Sequence, residues 1–579
     1  SLFDVHNSTM RYLYIYTKFL RMRPTIRSVL VTYTLYMTSG GLQSAQMVLW
    51  NVTITTTFSY GLYFTSFPLV AGSSFEILNS SITTTSSYAV YLASSIISDG
   101  SRFVMEDTTV KGLNAFYVDG YQLNAGGLLY VRRSRFIAAT ISYYTMYVYG
   151  SGGQIDHDGS NRHSTGDIML YFNAPTSNNL FVLNQSTVDY VYYQQTSTAH
   201  VTKNVTVTIL DSTVNYMYLY PGSTTDTNVR VVASSVFYTY WTCGTMTNST
   251  LTASNVVGSY WYMYGTIIKD STAAILDSTF SVAYYVSLSD ARDGSLIVSN
   301  RSTTGYCYLL GMQTGRASYI LDQATVSTTN TYAVYNNAVY RDALFEVRRS
   351  TIQSSSRFAV YTNAHVYGTS LHRYVDSTLR STFTSTASST YPPSQGALCY
   401  YYNYAQFNDQ SVLEIDNNEM FVVPNSAYGL YVRMKEGRIQ HTTSRYTNGQ
   451  IAIYHDAASH ADNVVVVEDS TLYLVEVNRA NTHVTTGDTL VLRRVTAPYV
   501  NLYMGKSNNS ALGVEASTIT NLYVYGGATG NATMWTSDTT VTGTAMYDLD
   551  SIDGSLFDVH NSTMRYLYIY TKFLRMRPT

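Results

Sequence analysis

Short apolar stretches alternate with polar ones along the whole chain, and the apolar stretches have a period of two. In RYLYIY (11–16), Leu13 and Ile15 fall on one side and Tyr12, Tyr14 and Tyr16 on the other. That pattern predicts a β-strand with two unlike faces. The same kind of run recurs at YAVY (88–91), MYVYG (146–150), YMYLY (216–220), YWYMYG (260–265), YAVY (332–335), FAVY (358–361), YGLYV (428–432) and LYVYGG (522–527). We expect the aliphatic positions inside and the tyrosines outside, stacked strand over strand at about 4.8 Å. The ladder residues are Tyr12, Tyr14, Tyr16, Tyr88, Tyr91, Tyr147, Tyr149, Tyr216, Tyr218, Tyr262, Tyr264, Tyr523 and Tyr525. The reverse arrangement, with tyrosine inside, is the alternative.

A second motif precedes these runs by four to ten residues: apolar residues, one variable polar residue, Ser/Thr-Thr, then an apolar residue. Clear copies are VHNSTM (5–10), LNSSI (78–82), EDTTV (106–110), LNQSTV (183–188), LDSTV (210–214), TNSTL (247–251), LDSTF (276–280), DQATV (322–326), RRSTI (348–352), VDSTL (375–379), EDSTL (468–472), EASTI (515–519) and SDTTV (537–541). Closing apolar residues of neighbouring copies lie 28 apart (82 to 110), 26 apart (188 to 214) and 27 apart (352 to 379). A repeat of about 25 residues without helical spacing or LxxLxL runs predicts three short strands per coil of a solenoid. The predicted fold is therefore all-β, a parallel β-helix, right-handed by the crossover rule. Thr, Val, Tyr, Ser and Gly, all poor helix formers, are dense throughout.

A longer repeat encloses the short one. Residues 1–25 recur unchanged at 555–579, an offset of 555 − 1 = 554 residues. The chain reads as one continuous solenoid over 1–579: a long repeat of 1–554, in about 22 coils, and the start of the next at 555–579. On that reading it is an excerpt of something longer, and missing targeting segments carry no information.

The residue before Ser/Thr-Thr is Asn7, Asp107, Asp211, Ala233, Asp277, Arg301, Arg349, Asp376, His441, Asp469, Ala516 or Asp538. No buried site accepts Asp, Arg and Ala interchangeably, because an unpaired buried charge is costly. The position is expected to face solvent. This bears on the Asn-X-Ser/Thr sequons at Asn7, Asn51, Asn79, Asn184, Asn204, Asn248, Asn300, Asn508, Asn531 and Asn561. Most of these fall at or one residue before the exposed position, so attached glycans would line one ridge of the rod.

Composition narrows the function classes. Charged residues make up 12% of the chain, about half the usual share, so uncharged Ser, Thr and Asn, with sugars, must keep the surface soluble. The net charge of −2 and the absence of a basic stripe argue against nucleic acid. No hydrophobic membrane span appears. Cys243, Cys307 and Cys399 have neither disulfide-framework nor metal-ligand spacing, and read as small hydrophobes. No cofactor motif is present.

Parallel β-helices can host polysaccharide lyases and hydrolases, which need two or three carboxylates, or a carboxylate with Lys or Arg, converging from neighbouring coils. The best local candidate is QIDHDGSNRHSTGD, with Asp156, His157, Asp158, His163 and Asp167, as an acid/base or metal site. DLDSIDG, with Asp548, Asp550 and Asp553, faintly resembles a calcium loop but lacks the closing Glu, and reads better as a polar turn. RDGS (292–295) is a turn signal, and the pairs Arg132/Arg133, Arg348/Arg349 and Arg493/Arg494 read as solvated repeat variants. A repeated rod copies any active site with each period, which favours a non-enzymatic part.

The combination of LDSTV and VHNSTM turns with YAVY strands resembles the large repetitive surface glycoproteins of the trypanosome dispersed gene family. The resemblance implies β-helix repeats, a place at the cell surface, and structural or adhesive roles. The leading expectation is an extracellular or cell-surface structural glycoprotein whose partner is itself, through stacked coils. An adhesin using its tyrosines is second, and a β-helix polysaccharide lyase or hydrolase third.

Overall fold

The computed structural model describes residues 4–16, 20, 23–197, 199–382, 398–402, 406–407, 409–422, 428–434, 437–455, 459–479, 484–553 and 556–571. Among the described residues the fold is all-β, without helix, and its strands stack in parallel about 24 residues apart in a β-solenoid of about 21 turns. The chain divides into two units, Ser1–Phe280 and Ser281–Thr579.

In the first unit the simplest coil runs from Asn228 to Ser249. A narrow strand, Asn228–Val232, is followed by a broad strand, Ser235–Thr247, and then by the next narrow strand, Thr250–Ser254. The narrow strands pair in register, Val229 with Leu251 and Val231 with Ala253. The broad strands do likewise, Tyr238 with Tyr260 and Trp241 with Met263. Three separate strands were expected per coil; here the second and third are fused into one bent strand. Longer coils separate them, as at Ser81–Thr84 and Tyr88–Ala93, which pair with Thr53–Thr56 and Tyr60–Thr65. Alternation explains the core: Val229, Val231, Val236, Trp241 and Met246 are buried, while Tyr238 and Tyr240 lie half-buried on the outer face.

Two turns close this coil, and both solve the same problem in the same way. The first follows the narrow strand and the second follows the broad one. At each, an exposed residue adopts a left-handed conformation and the next side chain points into the core. Ala233 (φ 47°) and Asp277 (φ 49°) mark first turns; Asp226 (φ 53°) and Asn248 (φ 46°) mark second turns. Asn and Asp tolerate this conformation best, whereas Ala and Arg lose about 1–2 kcal/mol there. The inward residue is mostly Ser, whose Oγ accepts a backbone N–H from the preceding coil and donates to a carbonyl two residues back. Ser212 N–H donates to Ser234 Oγ (3.2 Å), and Ser234 Oγ donates to Val232 O (2.7 Å). A second column runs alongside, where Thr227 N–H donates to Ser249 Oγ and Ser249 N–H to Ser271 Oγ, both at 3.0 Å. These rows satisfy buried amides that the bent backbone leaves without ladder partners.

This arrangement corrects the expectation of a single exposed row. TNSTL (247–251) lies on the second turn and LDSTV (210–214) on the first, so Ser249 stacks with Thr227 and Ser271, not with Ser212. The expected exposure of the motif position holds at Asp107, Asp211, Ala233, Asp277, Arg301, Arg349, Asp376, Asp469, Ala516 and Asp538. His441 is the exception.

The second unit follows the same grammar. Thr489–Arg493, Arg494, Thr496–Asn508, Asn509 and Ala511–Glu515 form one coil and the start of the next, with Leu490 opposite Leu512 and Val500 opposite Leu522. In HTTS (441–444) the left-handed residue is Thr443 (φ 48°) and the inward hydroxyl is Ser444. His441 therefore sits two positions earlier, inside, where its Nε2 meets Tyr446 Oη at 2.6 Å. The turn Asp293-Gly294 is present as expected, with both residues at positive φ.

The serine rows make a direct prediction. Ser350 Oγ accepts from Ala324 N–H (3.0 Å) and donates to Arg348 O (2.7 Å). Ser350→Ala should cost about 1–3 kcal/mol in urea unfolding, because it strands a buried amide. Ser350→Asn should cost less, since Asn161 and Asn418 already fill this role for Ser134 and Ser377.

Candidate functional site

The segment 154–167 does not gather its five candidates into one site. Gln154–His157 is a narrow strand, so Ile155 and His157 point inward and Asp156 outward. Asp156 and Asp158 converge on a basic residue: Arg132 NH2 lies 3.6 Å from Asp156 Oδ2, and Arg132 Nε lies 3.3 Å from Asp158 Oδ2. The Arg132 guanidinium also covers the Tyr130 ring at 4.3 Å. Asp158 Oδ1 additionally accepts Ser160 N–H at 3.0 Å and shapes the turn.

The two histidines meet in the core instead. His157 Nε2 and His163 Nε2 are 2.9 Å apart; His157 Nδ1 faces Val182 O at 3.2 Å, and His163 Nδ1 faces Thr145 Oγ1 at 3.1 Å. Phe136 stacks on His163 and Phe181 packs beside His157, both at 4.9 Å. Burial pushes His157 down to about 4 and His163 well below its ordinary value, with each further opposed or helped by local groups: Val182 O favours the His157 cation, and His157 disfavours that of His163. At neutral pH this is a neutral imidazole pair sharing one hydrogen bond. Asp167 stands apart on the broad sheet, raised to about 6 by burial and by Asp189. Among the described residues no group of three or more His, Cys, Asp or Glu is placed to hold a metal ion.

DLDSID (548–553) is neither a turn nor a loop. It continues the broad strand Thr540–Asp553, with Asp548 and Asp550 exposed on either side of the buried Leu549. In-register pairing of Asp548 with Tyr525 and of Leu549 with Gly526 holds this stretch extended. A calcium loop is thereby excluded for these two; the Asp553 side chain lies outside the described residues, as does that of Cys399. Cys243 and Cys307 are free and buried.

The arginine pairs are solvated, but they are not idle. Arg133 grips Asp107 (2.8 Å) and Glu106 (3.0 Å), and Arg349 and Arg348 both reach Asp322, at 2.6 and 3.0 Å. Arg493 bridges Glu468 (2.8 Å) and Glu515 (2.7 Å) from the coil between them. Burial would raise Asp322, but Arg349 and Arg348 outweigh it and leave the carboxyl below its usual range. In an in-register stack, equal charges in successive coils would face each other about 4.8 Å apart. Alternating acid, arginine and acid turns that repulsion into attraction. Sequence reading missed these ladders because the partners lie 22–27 residues apart; a coil-length spacing between opposite charges was the signal.

The tyrosines form columns on the broad sheet. Tyr12 stands 4.9 Å from Tyr33, Tyr14 5.0 Å from Tyr36, Tyr88 5.9 Å from Tyr60, and Tyr91 5.5 Å from Tyr63. Further along, Tyr147 lies 4.3 Å from Tyr117, Tyr149 4.7 Å from Tyr171, Tyr216 4.7 Å from Tyr190, and Tyr218 4.8 Å from Tyr192. Tyr262 and Tyr264 sit 5.2 and 5.1 Å from Tyr238 and Tyr240, and Tyr525 lies 4.8 Å from Tyr503. Tyr523 meets Tyr525 on its own strand at 6.5 Å, because Asn501 is its register partner. Tyr16 is mostly exposed. Many pairs are nearly parallel: 7° for Tyr117–Tyr147, 13° for Tyr190–Tyr216 and 7° for Tyr503–Tyr525. Ring faces in these pairs are thus covered by neighbouring coils, and the residues are half-buried. Burial raises Tyr117, Tyr220 and Tyr335 above the ordinary phenol value, the last two to about 12.

The sequons occupy two rows. Asn7, Asn51, Asn79 and Asn561 are themselves left-handed first-turn residues, and Asn204 and Asn248 are left-handed second-turn residues. Asn184, Asn300 and Asn508 each precede such a residue and are half-buried; Asn531 follows Gly530 and is exposed. The expected single ridge is therefore replaced by one row on each side of the narrow sheet.

No protein-family model, curated protein or solved structure matches the chain. No helix among the described residues is long and apolar enough to cross a membrane.

Proposed function

We propose that the chain is a length of structural rod, an extracellular or cell-surface glycoprotein that builds fibres from stacked β-coils. One observation carries this reading: the outer faces of both sheets are engaged in coil-to-coil contacts. On the broad sheet, tyrosine faces close on one another, as in Tyr190–Tyr216 and Tyr308–Tyr335. On the narrow sheet, arginines bridge carboxylates of adjacent coils, as in Glu468–Arg493–Glu515. Such contacts lengthen and stiffen a stack and leave little free surface chemistry. The resemblance to repetitive trypanosome surface proteins supports the same role.

An adhesin binding sugars would need open ring faces, which the parallel columns cover. A polysaccharide lyase or hydrolase would draw on Asp156 and Asp158, which converge on the basic Arg132 as such a site requires. Electron microscopy of the purified protein should show long unbranched fibres. Short particles that bind a glycan array, with binding lost on Tyr→Ser changes in the columns, would favour the adhesin; measurable polysaccharide turnover lost in Asp156→Asn would favour the enzyme.

Glycan occupancy gives a second prediction. Asn51 and Asn204 are exposed, with each Nδ2 donating only to a side chain on a neighbouring coil (Ser28 Oγ at 3.2 Å, Asn178 Oδ1 at 2.7 Å). A linked amide keeps one N–H for that contact. Asn184 is half-buried and its Nδ2 donates to Gly159 O at 2.8 Å. In protein secreted from a eukaryotic cell, mass spectrometry before and after glycan release should find Asn51 and Asn204 occupied well above Asn184. Equal occupancy would overturn the burial ranking, and no occupancy at any sequon would remove the glycoprotein part of the proposal.

A further inference from the structure

We propose that the tyrosine columns of the first unit are sites of oxidative cross-linking, in which a peroxidase and hydrogen peroxide join tyrosines of adjacent coils as dityrosine. This concerns a modification of the surface and holds whether or not the chain forms fibres.

The geometry that points to it is densest between Tyr190 and Tyr264. Tyr190 faces Tyr216 at 4.7 Å and Tyr192 faces Tyr218 at 4.8 Å, each pair within about 15° of parallel. The columns continue more loosely through Tyr238 and Tyr240: Tyr218–Tyr240 is 6.1 Å and Tyr220–Tyr240 is 5.6 Å. Tyr238–Tyr262 and Tyr240–Tyr264 tighten again to 5.2 and 5.1 Å. Neighbours along one strand are farther apart than the tight coil-to-coil pairs, 5.9 Å for Tyr190–Tyr192 and 6.4 Å for Tyr216–Tyr218. All these rings are half-buried. Each half-buried ring keeps a solvent-facing edge, within reach of a diffusing oxidant. A ring at that edge can turn about its Cβ–Cγ bond to bring one Cε against the Cε of the ring above.

The chemistry balances. Each of two phenols gives up one electron and its hydroxyl proton to the oxidised haem of the peroxidase, leaving two phenoxyl radicals. These couple by one new Cε–Cε bond, and the hydrogen on each coupled carbon moves to oxygen to restore both hydroxyls and both aromatic rings. Hydrogen peroxide takes up the two electrons and two protons and leaves as two waters. The protein loses two hydrogen atoms per link.

The register dictates which links form, and trypsin puts the strands around Tyr190, Tyr216 and Tyr238 on three different peptides. Cleavage after Arg162, Lys203, Arg230 and Lys269 gives the peptides His163–Lys203 with Tyr171, Tyr190, Tyr192 and Tyr193, Asn204–Arg230 with Tyr216, Tyr218 and Tyr220, and Val231–Lys269 with Tyr238, Tyr240, Tyr260, Tyr262 and Tyr264, so that Tyr238–Tyr262 and Tyr240–Tyr264 links stay within one peptide. The test is to treat dilute, glycan-free full chain with a haem peroxidase and hydrogen peroxide, then digest it. We expect dityrosine fluorescence in protein that still runs as a single chain on a denaturing gel. The dominant linked species should join His163–Lys203 to Asn204–Arg230, at the summed mass less two hydrogens. A weaker species should join Asn204–Arg230 to Val231–Lys269, and none should join His163–Lys203 to Val231–Lys269. The triple variant Tyr216→Phe, Tyr218→Phe, Tyr220→Phe keeps the rings and the strand signal in circular dichroism, and should lose both links to Asn204–Arg230. Three results would overturn the proposal: no dityrosine, links mainly between molecules, or the same peptide pairing in urea-unfolded protein.

Discussion

Lowering the pH from about 6.5 toward 4 should unfold this protein long before its carboxylates are fully protonated. The cause is a set of histidines buried as neutral imidazoles. Burial pushes His157 and His441 down to about 4 and His372 to about 3, and drives His163 well below its ordinary value. Nearby Asp158 and Asp416 favour the charged forms of His157 and His441, but desolvation outweighs them. Each folded-state value is depressed below that of the unfolded chain, so between the two the unfolded state binds more protons. Stability then rises with pH across the window and falls as acid is added, by about 1.4 kcal/mol per pH unit for each histidine. Above about 6.5 both states are neutral and the term vanishes. Asp167 works the other way: raised to about 6, it binds its proton in the folded state first and offsets about one histidine. The remainder rivals the whole stability of an ordinary domain within two pH units. Urea unfolding at stepped pH should show the slope directly. His372→Phe, placed among Tyr340, Phe345 and Phe407, should reduce it by one proton. A midpoint unchanged from pH 6.5 to 4.5 would refute the account.

These histidines also mark what the sequence could not disclose. The strand grammar was legible: Leu13 and Ile15 against Tyr12, Tyr14 and Tyr16 needs only the period of two, and the coil-length recurrence of LDSTV-like motifs needs only counting. The two turns were not separable, because both place a left-handed residue before an inward hydroxyl, and TNSTL and LDSTV are near-identical solutions to one backbone problem. Their order relative to the aromatic run distinguishes them: Asp211 precedes Tyr216 and Tyr218 by a few residues, whereas Asn248 follows Tyr238 and Tyr240. His441 was misplaced because Thr442-Thr443-Ser444 fits the motif in two registers, and only the inward Ser444 decides between them. His157 and His163, six residues apart, looked like parts of one polar loop. The turn between them instead puts each on a different sheet of the same coil, facing the common core. Tyr190, Tyr192, Tyr238 and Tyr240 escaped notice because DYVYYQQ and FYTYW depart from the YAVY pattern, although their alternation is the same.

The largest local effect is expected at Gly311. This residue lies in the broad strand Thr303–Thr314 of the second unit, at φ 108°, where side chains are rarely tolerated. A Cβ built there would fall 1.4 Å from Leu288 O and 2.5 Å from the Leu288 carbonyl carbon, both backbone atoms of the preceding coil. Nothing flexible can give way, so Gly311→Ala must push apart two coils whose register is fixed on both sides. Gly294 is the matched control. It also sits at positive φ (85°), in the Asp293-Gly294 turn, but an added Cβ there meets nothing within 4 Å. Gly294→Ala should lose only the left-handed penalty of about 1–2 kcal/mol, whereas Gly311→Ala should lose more than about 4 kcal/mol, the range reached when backbone must move. In a solenoid each coil contacts only its neighbours, so such damage splits the stack instead of melting it evenly. Gly311→Ala should therefore show two unfolding transitions and a new protease-sensitive point near residues 288–311, with Gly294→Ala retaining a single wild-type pattern. Equal, small losses for both variants would mean that the coils do not stack in the register that places Gly311 over Leu288.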